Sequence, residues 1–235
     1  MNPVRILAAG IAAAAFVLSA ASPSALPAHP IHTAADTVTL DDWDYRAAYS
    51  GWRASGLIDA VVFGANGEEL GEVKDLLVDA DGRLRALAIE ASGMLDIGPA
   101  LFTVPWRDAA PGPEPDTVTL PITAEEATAL ARADTPDTIG PGGWRVQALL
   151  GRPVHVAGMR HFGTVDDIIF DTPGAIVAAV VAPRNDPNGP YAYPWRDATL
   201  GPAQSALVLP VAPAQLRALG PFDYGRMPDG ALARR

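Results

Sequence analysis

The sequence predicts a mainly β protein in which one small unit of short strands, ending in a short helix, occurs twice. Three observations carry that prediction. Pro105-Trp-Arg-Asp-Ala109 recurs as Pro194-Trp-Arg-Asp-Ala198, 89 positions on. Gly71-Glu-Val-Lys-Asp-Leu-Leu-Val-Asp79 aligns with Gly163-Thr-Val-Asp-Asp-Ile-Ile-Phe-Asp171, 92 positions on. Short runs rich in β-branched residues also alternate with Asn-Gly and Asp-Gly turns, the strongest local hairpin signal. Two copies point to two packed domains rather than a solenoid. Thr119–Ile122 aligns with Val208–Val211 at an offset of 89, so three residues are missing from the second copy somewhere between 91 and 104. That is a change of loop length inside a shared plan.

Each element has a local cause. Leu57–Phe63 is an apolar run broken by Gly64-Ala-Asn-Gly67, and Glu69–Asp79 resumes as a strand. Asp79-Ala-Asp-Gly82 turns the chain into an alternating strand over Leu84–Glu90. Leu101–Val104 runs into Pro105, which has no N–H to continue a ladder. Val118–Ile122 is a fifth short strand. Thr123-Ala-Glu-Glu126 forms a capping box and predicts a helix over Glu125–Ala133. The second copy repeats the series at 149–156, 162–171, 175–182, 190–193 and 206–211, with its helix at 213–219. Strands this short favour a small barrel or sandwich.

The chain divides accordingly. Residues 1–28 have the layout of a secretory signal: Arg5, an apolar run over Ile6–Leu18, then small residues at which cleavage is expected. The run is shorter than the ~20 residues of a spanning helix. A mature chain without a transmembrane segment is therefore expected in a periplasm or secreted. Residues 29–52 are an acidic, aromatic lead-in, 53–133 and 144–222 the two domains, 134–143 a Pro/Gly linker and 223–235 a tail.

Composition narrows function. The 235 residues carry a net charge of −10, with 27 acids against 17 bases, and no basic run exceeds two residues. Nucleic acid, which requires clustered Lys and Arg, is excluded as a partner. The absence of cysteine removes thiol catalysis, Cys-ligated zinc and disulfides, so stability must come from apolar burial.

The quoted motifs resemble those of the PRC-barrel family, whose members include the soluble part of the photosynthetic reaction-centre H subunit and a domain of a ribosome maturation factor. The family run appears here as Gly71-x-Val73-x-Asp75-Leu-Leu-x-Asp79, Asp81-Gly82, Leu84–Glu90, Met94-Leu-Asp-Ile-Gly98 and Val104-Pro-Trp106. The second copy lacks the Gly-Glu turn and has Thr172-Pro-Gly174 in place of the Asp-x-Asp-Gly turn. The resemblance covers roughly 57–133 and 147–219. It implies two small PRC-type β barrels in tandem, of a six-stranded type, each followed by a short helix and used as interaction modules. It implies no catalytic residues and no cofactor.

Candidate binding residues fall in two groups. Trp106, Arg107, Asp108 and their counterparts Trp195, Arg196 and Asp197 read either as a surface with aromatic anchors or as parts that close each barrel. Survival in both copies favours the structural role. The strip Asp41–Trp52 has no counterpart, and its Trp43, Tyr45, Tyr49 and Trp52 either dock a partner or the other barrel, or cover an apolar face of the first domain. The repeated Asp75/Asp79 and Asp167/Asp171 read as turn-forming residues, because a calcium loop needs more oxygen ligands and a distal Glu. His155 and His161 flank Val-Ala-Gly-Met-Arg and would face each other across a hairpin. No third ligand is evident, so no metal is expected. The first copy has Phe63 and Glu69 at these positions, and His29 and His32 lie in the lead-in.

No G-x-S-x-G, H-E-x-x-H, P-loop or dinucleotide fingerprint occurs in the sequence. The expectation is an exported, non-catalytic binding or scaffold protein with a protein partner in the cell envelope. The alternatives are a periplasmic small-ligand or metal-binding protein and a hydrolase using an unrecognised pair of carboxylates.

Overall fold

The computed structural model describes residues 40, 42–91, 100–111, 116–133, 140–201 and 205–227. The expected signal, the Met94–Gly98 stretch, most of the linker and the end of the tail lie outside these residues. All the described residues belong to one compact unit.

The described chain opens with α1 (Arg46–Tyr49), a two-residue strand β1 (Trp52–Arg53) and one turn of helix α2 (Ala54–Leu57). The apolar run at Leu57–Phe63 was expected to be a single strand. Only β2 (Val61–Phe63) is extended, because Asp59 takes a left-handed φ of 65°. The second copy does the same with Gly151 at φ 74°, which delays its first strand to Pro153.

The first sheet continues with β3 (Glu69–Val78), β4 (Leu84–Ala91), β5 (Leu101–Pro105), β6 (Ala110–Pro111) and β7 (Thr117–Thr119). Its order is β5-β4-β3-β2-β7-β6, antiparallel except where β2 meets β7. A 3-10 turn over Trp106–Asp108 carries the chain from β5, at one end of that order, to β6 at the other. The sheet thereby curls into a small barrel. α3 (Ala124–Arg132) follows, with Thr123 accepting from the Glu126 N–H and the Glu126 carboxylate accepting from the Thr123 N–H. Its buried Ala127 and Ala131 face the core.

The second half repeats this plan. β8 (Trp144–Arg145) is followed by β9 (Pro153–Val156), β10 (Met159–Phe170), β11 (Ile176–Pro183), β12 (Tyr191–Pro194), β13 (Thr199–Leu200) and β14 (Leu207–Leu209). The order β12-β11-β10-β9-β14-β13 matches the first sheet strand for strand, including the parallel pair β9 with β14. α4 (Pro213–Ala218) starts on a proline, and the Gln215 side chain accepts from the Ala212 N–H. An alanine at the N-cap allows only that half of a capping box.

Each sheet has a seventh strand that comes from the other repeat. β1 pairs with β10, Trp52 opposite Phe170, and β8 pairs with β3, Trp144 opposite Val78. The two repeats thus lend each other their opening strands. One continuous core runs through both, from Leu57 and Val73 to Val165 and Leu216. The boundary drawn before residue 53 cuts β1, and the one before 144 assigns β8 to a sheet it does not join.

Candidate functional site

The exchange depends on a buried aspartate in each repeat. A β-bulge between Val73 and Asp75 in β3, and its equivalent between Val165 and Asp167 in β10, re-aims the carboxylate out of the simple alternation. Asp167 is 1% exposed and accepts from its own neighbour Ile168 N and, across the seam, from Ser55 N, Ser55 Oγ and Arg53 Nε. Asp75, 5% exposed, accepts from Leu76 N and Gln147 N, with Arg145 Nη1 at 3.5 Å. Each carboxylate therefore fixes the start of the other repeat's opening turn. Burial is tolerable because backbone N–H groups and a guanidinium satisfy the charge.

The second aspartate of each motif shapes a turn. Asp79 Oδ1 accepts from Asp81 N and Arg83 N, and Asp171 Oδ1 from Ala175 N. The two turns meet across the seam, where Leu84 N donates to Gly174 O and Ile176 N to Gly82 O.

The tryptophans of the repeated Pro-Trp-Arg-Asp elements lie on these turns. Trp106, 4% exposed, packs on Trp52, which in turn stacks on Phe170 and donates Nε1–H to Asp171 O. Trp195 is half-buried and stacks on Trp144 at 5.4 Å. Each also covers a glycine of the other repeat's turn, Gly174 under Trp106 and Gly82 under Trp195. The adjacent Arg107–Asp108 and Arg196–Asp197 pairs dress the surface. Exposed pairs of this kind add little stability. Trp52, counted with the lead-in strip, is part of the seam.

The rest of the strip lies elsewhere. Trp43, Ala48 and Tyr49 pack on the outer face of the second sheet, against Ile169, Ala178, Val180 and Ala192. Of the alternatives the sequence leaves open, docking on the other barrel is the one seen here, and covering the first domain is not. The tail completes the cover: Phe222 stacks on Tyr49 at 4.7 Å, and Asp223 N donates to Tyr49 Oη. Tyr224 donates to Asp166 under the Arg53 guanidinium, and burial followed by that hydrogen bond pushes its hydroxyl pKa up. Between the strip and the segment after α4 runs a shallow open groove lined by Trp43, Tyr45, Tyr49, Leu219, Pro221 and Phe222. Tyr45, at its rim, is 40% exposed. Sequence reasoning missed the residues from Pro221 onward, although Pro221-Phe-Asp-Tyr224 is a second unrepeated aromatic cluster that spans the end of the second domain and the start of the tail.

The structure brings His155 and His161 together, ring centroids 5.3 Å apart and nearly perpendicular. Burial first, then the charges of His161 and Arg160, holds the His155 pKa below its usual value. Among the described residues no group of three His, Cys, Asp or Glu could hold a metal ion. Asp186, in the β11–β12 loop, accepts from Arg217 Nε, Tyr191 Oη and Asn188 N. The Arg217 hydrogen bond above all, with that of the Asn188 N–H, lowers its carboxyl to about 2.

Comparison with known families bears on the first sheet. Residues 53–126 match the PRC-barrel domain. The match ends well before β8, so the PRC barrel of this chain is completed by a strand outside the matched segment. No curated protein matches the chain. Among the described residues no helix is long and apolar enough to cross a membrane.

Proposed function

We propose that the chain is an exported, non-catalytic binding or scaffold protein of the cell envelope, built from two PRC barrels that arose by duplication. The repeated motifs are spent on joining the barrels. Asp75 and Asp167 hold backbone N–H groups, and Trp106 and Trp195 cover the opposite turn. The surface that sets this protein apart is unrepeated. The observation that carries the reading is the groove between the strip and the segment after α4, with Trp43, Tyr45, Tyr49 and Phe222 along it. Tyr and Trp are the side chains on which protein–protein affinity concentrates. Pro221 and the aromatic walls suit an extended polypeptide segment laid along the groove.

A photo-crosslinking residue at Tyr45, compared with one at the distant exposed Leu101, tests this in the native envelope. The reading expects one protein adduct from Tyr45, lost on Trp43→Ala, and none from Leu101. Folded, abundant protein that gives no adduct at Tyr45 contradicts it.

A further inference from the structure

We propose that His155 and His161 form a two-histidine site for a late first-row divalent transition-metal ion, Cu2+ foremost, on the β9–β10 hairpin. The spacing suits it. An imidazole nitrogen binds such an ion at about 2.0–2.1 Å, which puts a ring centroid about 3.2 Å away, so two rings at about 90–110° around the ion have centroids about 4.5–5.2 Å apart. The observed 5.3 Å lies within about 0.1 Å of the upper end of that range.

Two further observations point the same way. Nε2 of His155 is buried and has no hydrogen-bond partner. A buried polar atom in that state calls for an occupant, and a metal ion is one that a neutral imidazole accepts. His161 takes a left-handed φ of 56° and is exposed, so its ring is open to an ion from solvent. Such backbone conformations are costly outside glycine and concentrate at functional positions. The fold does not require imidazoles here, because the first repeat carries Phe63 and Glu69 at the equivalent positions of its β2–β3 hairpin.

Two protein ligands leave the remaining positions to water, and the cationic Arg160 beside the pair works against tight binding. The ion is therefore exchangeable. Cu2+ leads because the affinity of a nitrogen site for divalent ions peaks there.

The test uses the full chain with His29→Asn and His32→Asn, which leaves this pair as the only histidines of the four. Titration with CuCl2 is followed by calorimetry and by electron paramagnetic resonance. One Cu2+ per chain with imidazole nitrogen couplings is expected. His161→Asn and His155→Phe should each weaken binding at least tenfold. The metal-free melting temperature of each variant shows that it folds: His161 is exposed, and phenylalanine is the first repeat's own choice at the other position. Absence of saturable binding in the parent, or binding unchanged in both folded variants, overturns the proposal.

Discussion

Trp106 of the first repeat covers Gly174 of the second so closely that a Cβ at Gly174 would stand 2.7 Å from its Nε1, and Trp195 covers Gly82 by the same geometry at 2.8 Å. Both glycines also have positive φ, 93° and 75°. Gly174→Ala therefore incurs backbone strain and displaces a buried indole. A loss of about 2–4 kcal/mol is expected from the two effects together. Trp106→Ala should cost about 3–5 kcal/mol, as truncation of a buried Trp does. Urea unfolding checks both, and the transition should stay single.

The aspartate latches should differ in strength. Asp167 receives four donors, Ile168 N, Ser55 N, Ser55 Oγ and Arg53 Nε. Asp75 receives two backbone N–H groups and a longer contact from Arg145. Asp167→Ala strands buried donors on the opposite repeat and should cost about 2–4 kcal/mol. Asp75→Ala should cost less. Equal losses in denaturant titrations would contradict the assignment of Asp167 as the stronger latch.

Acid sensitivity should include the β11–β12 loop. The Asp186 carboxyl titrates near 2 in the folded chain, below its value of about 3.9 in an unfolded one. Its contribution to stability is then full above the unfolded value and is lost as pH falls through the folded one. Carboxyl chemical shifts followed by NMR should give a midpoint near 2 for Asp186. Arg217→Gln should move that midpoint upward, toward the ordinary range.

The tail should protect the outer face of the second sheet. Phe222 and Met227 are buried there beside Ile169 and Val180. Phe222→Ala is expected to cost about 3–5 kcal/mol and to loosen α1, since Tyr49 loses its stacking partner. Hydrogen exchange should rise at the α1 amides while β3 and β4 stay unchanged.

Much of this fold was legible in the sequence because its signals are local. The Asn-Gly and Asp-Gly turns, Pro105 at a strand end and the Thr123/Glu126 capping box each act over a few residues. The strand exchange was not legible in that way. Gly51-Trp-Arg53 and Gly143-Trp-Arg145 are visibly a repeat, yet a two-residue strand has no periodicity and does not name its partner. The seat of Trp43 and Tyr49 on the second sheet was one of several left open by the sequence, for a related reason. The face they cover, Ala178, Val180 and Ala192, lies more than 120 residues away, and a strand buried on both faces loses the alternation that marks an outer side. The facing of His155 and His161 followed from hairpin logic, but the left-handed turn of His161 that accompanies it did not.

The central claim is that two repeats exchange opening strands and so form one folding unit. Cutting the chain in the linker tests it most directly. A protease site built into residues 134–138 is cleaved under native conditions, and the product is examined by gel filtration and by thermal unfolding. The exchange predicts that the two halves stay together at the full chain's elution volume and unfold in one transition. Separation into two half-size species, each folded and each melting on its own, would contradict it.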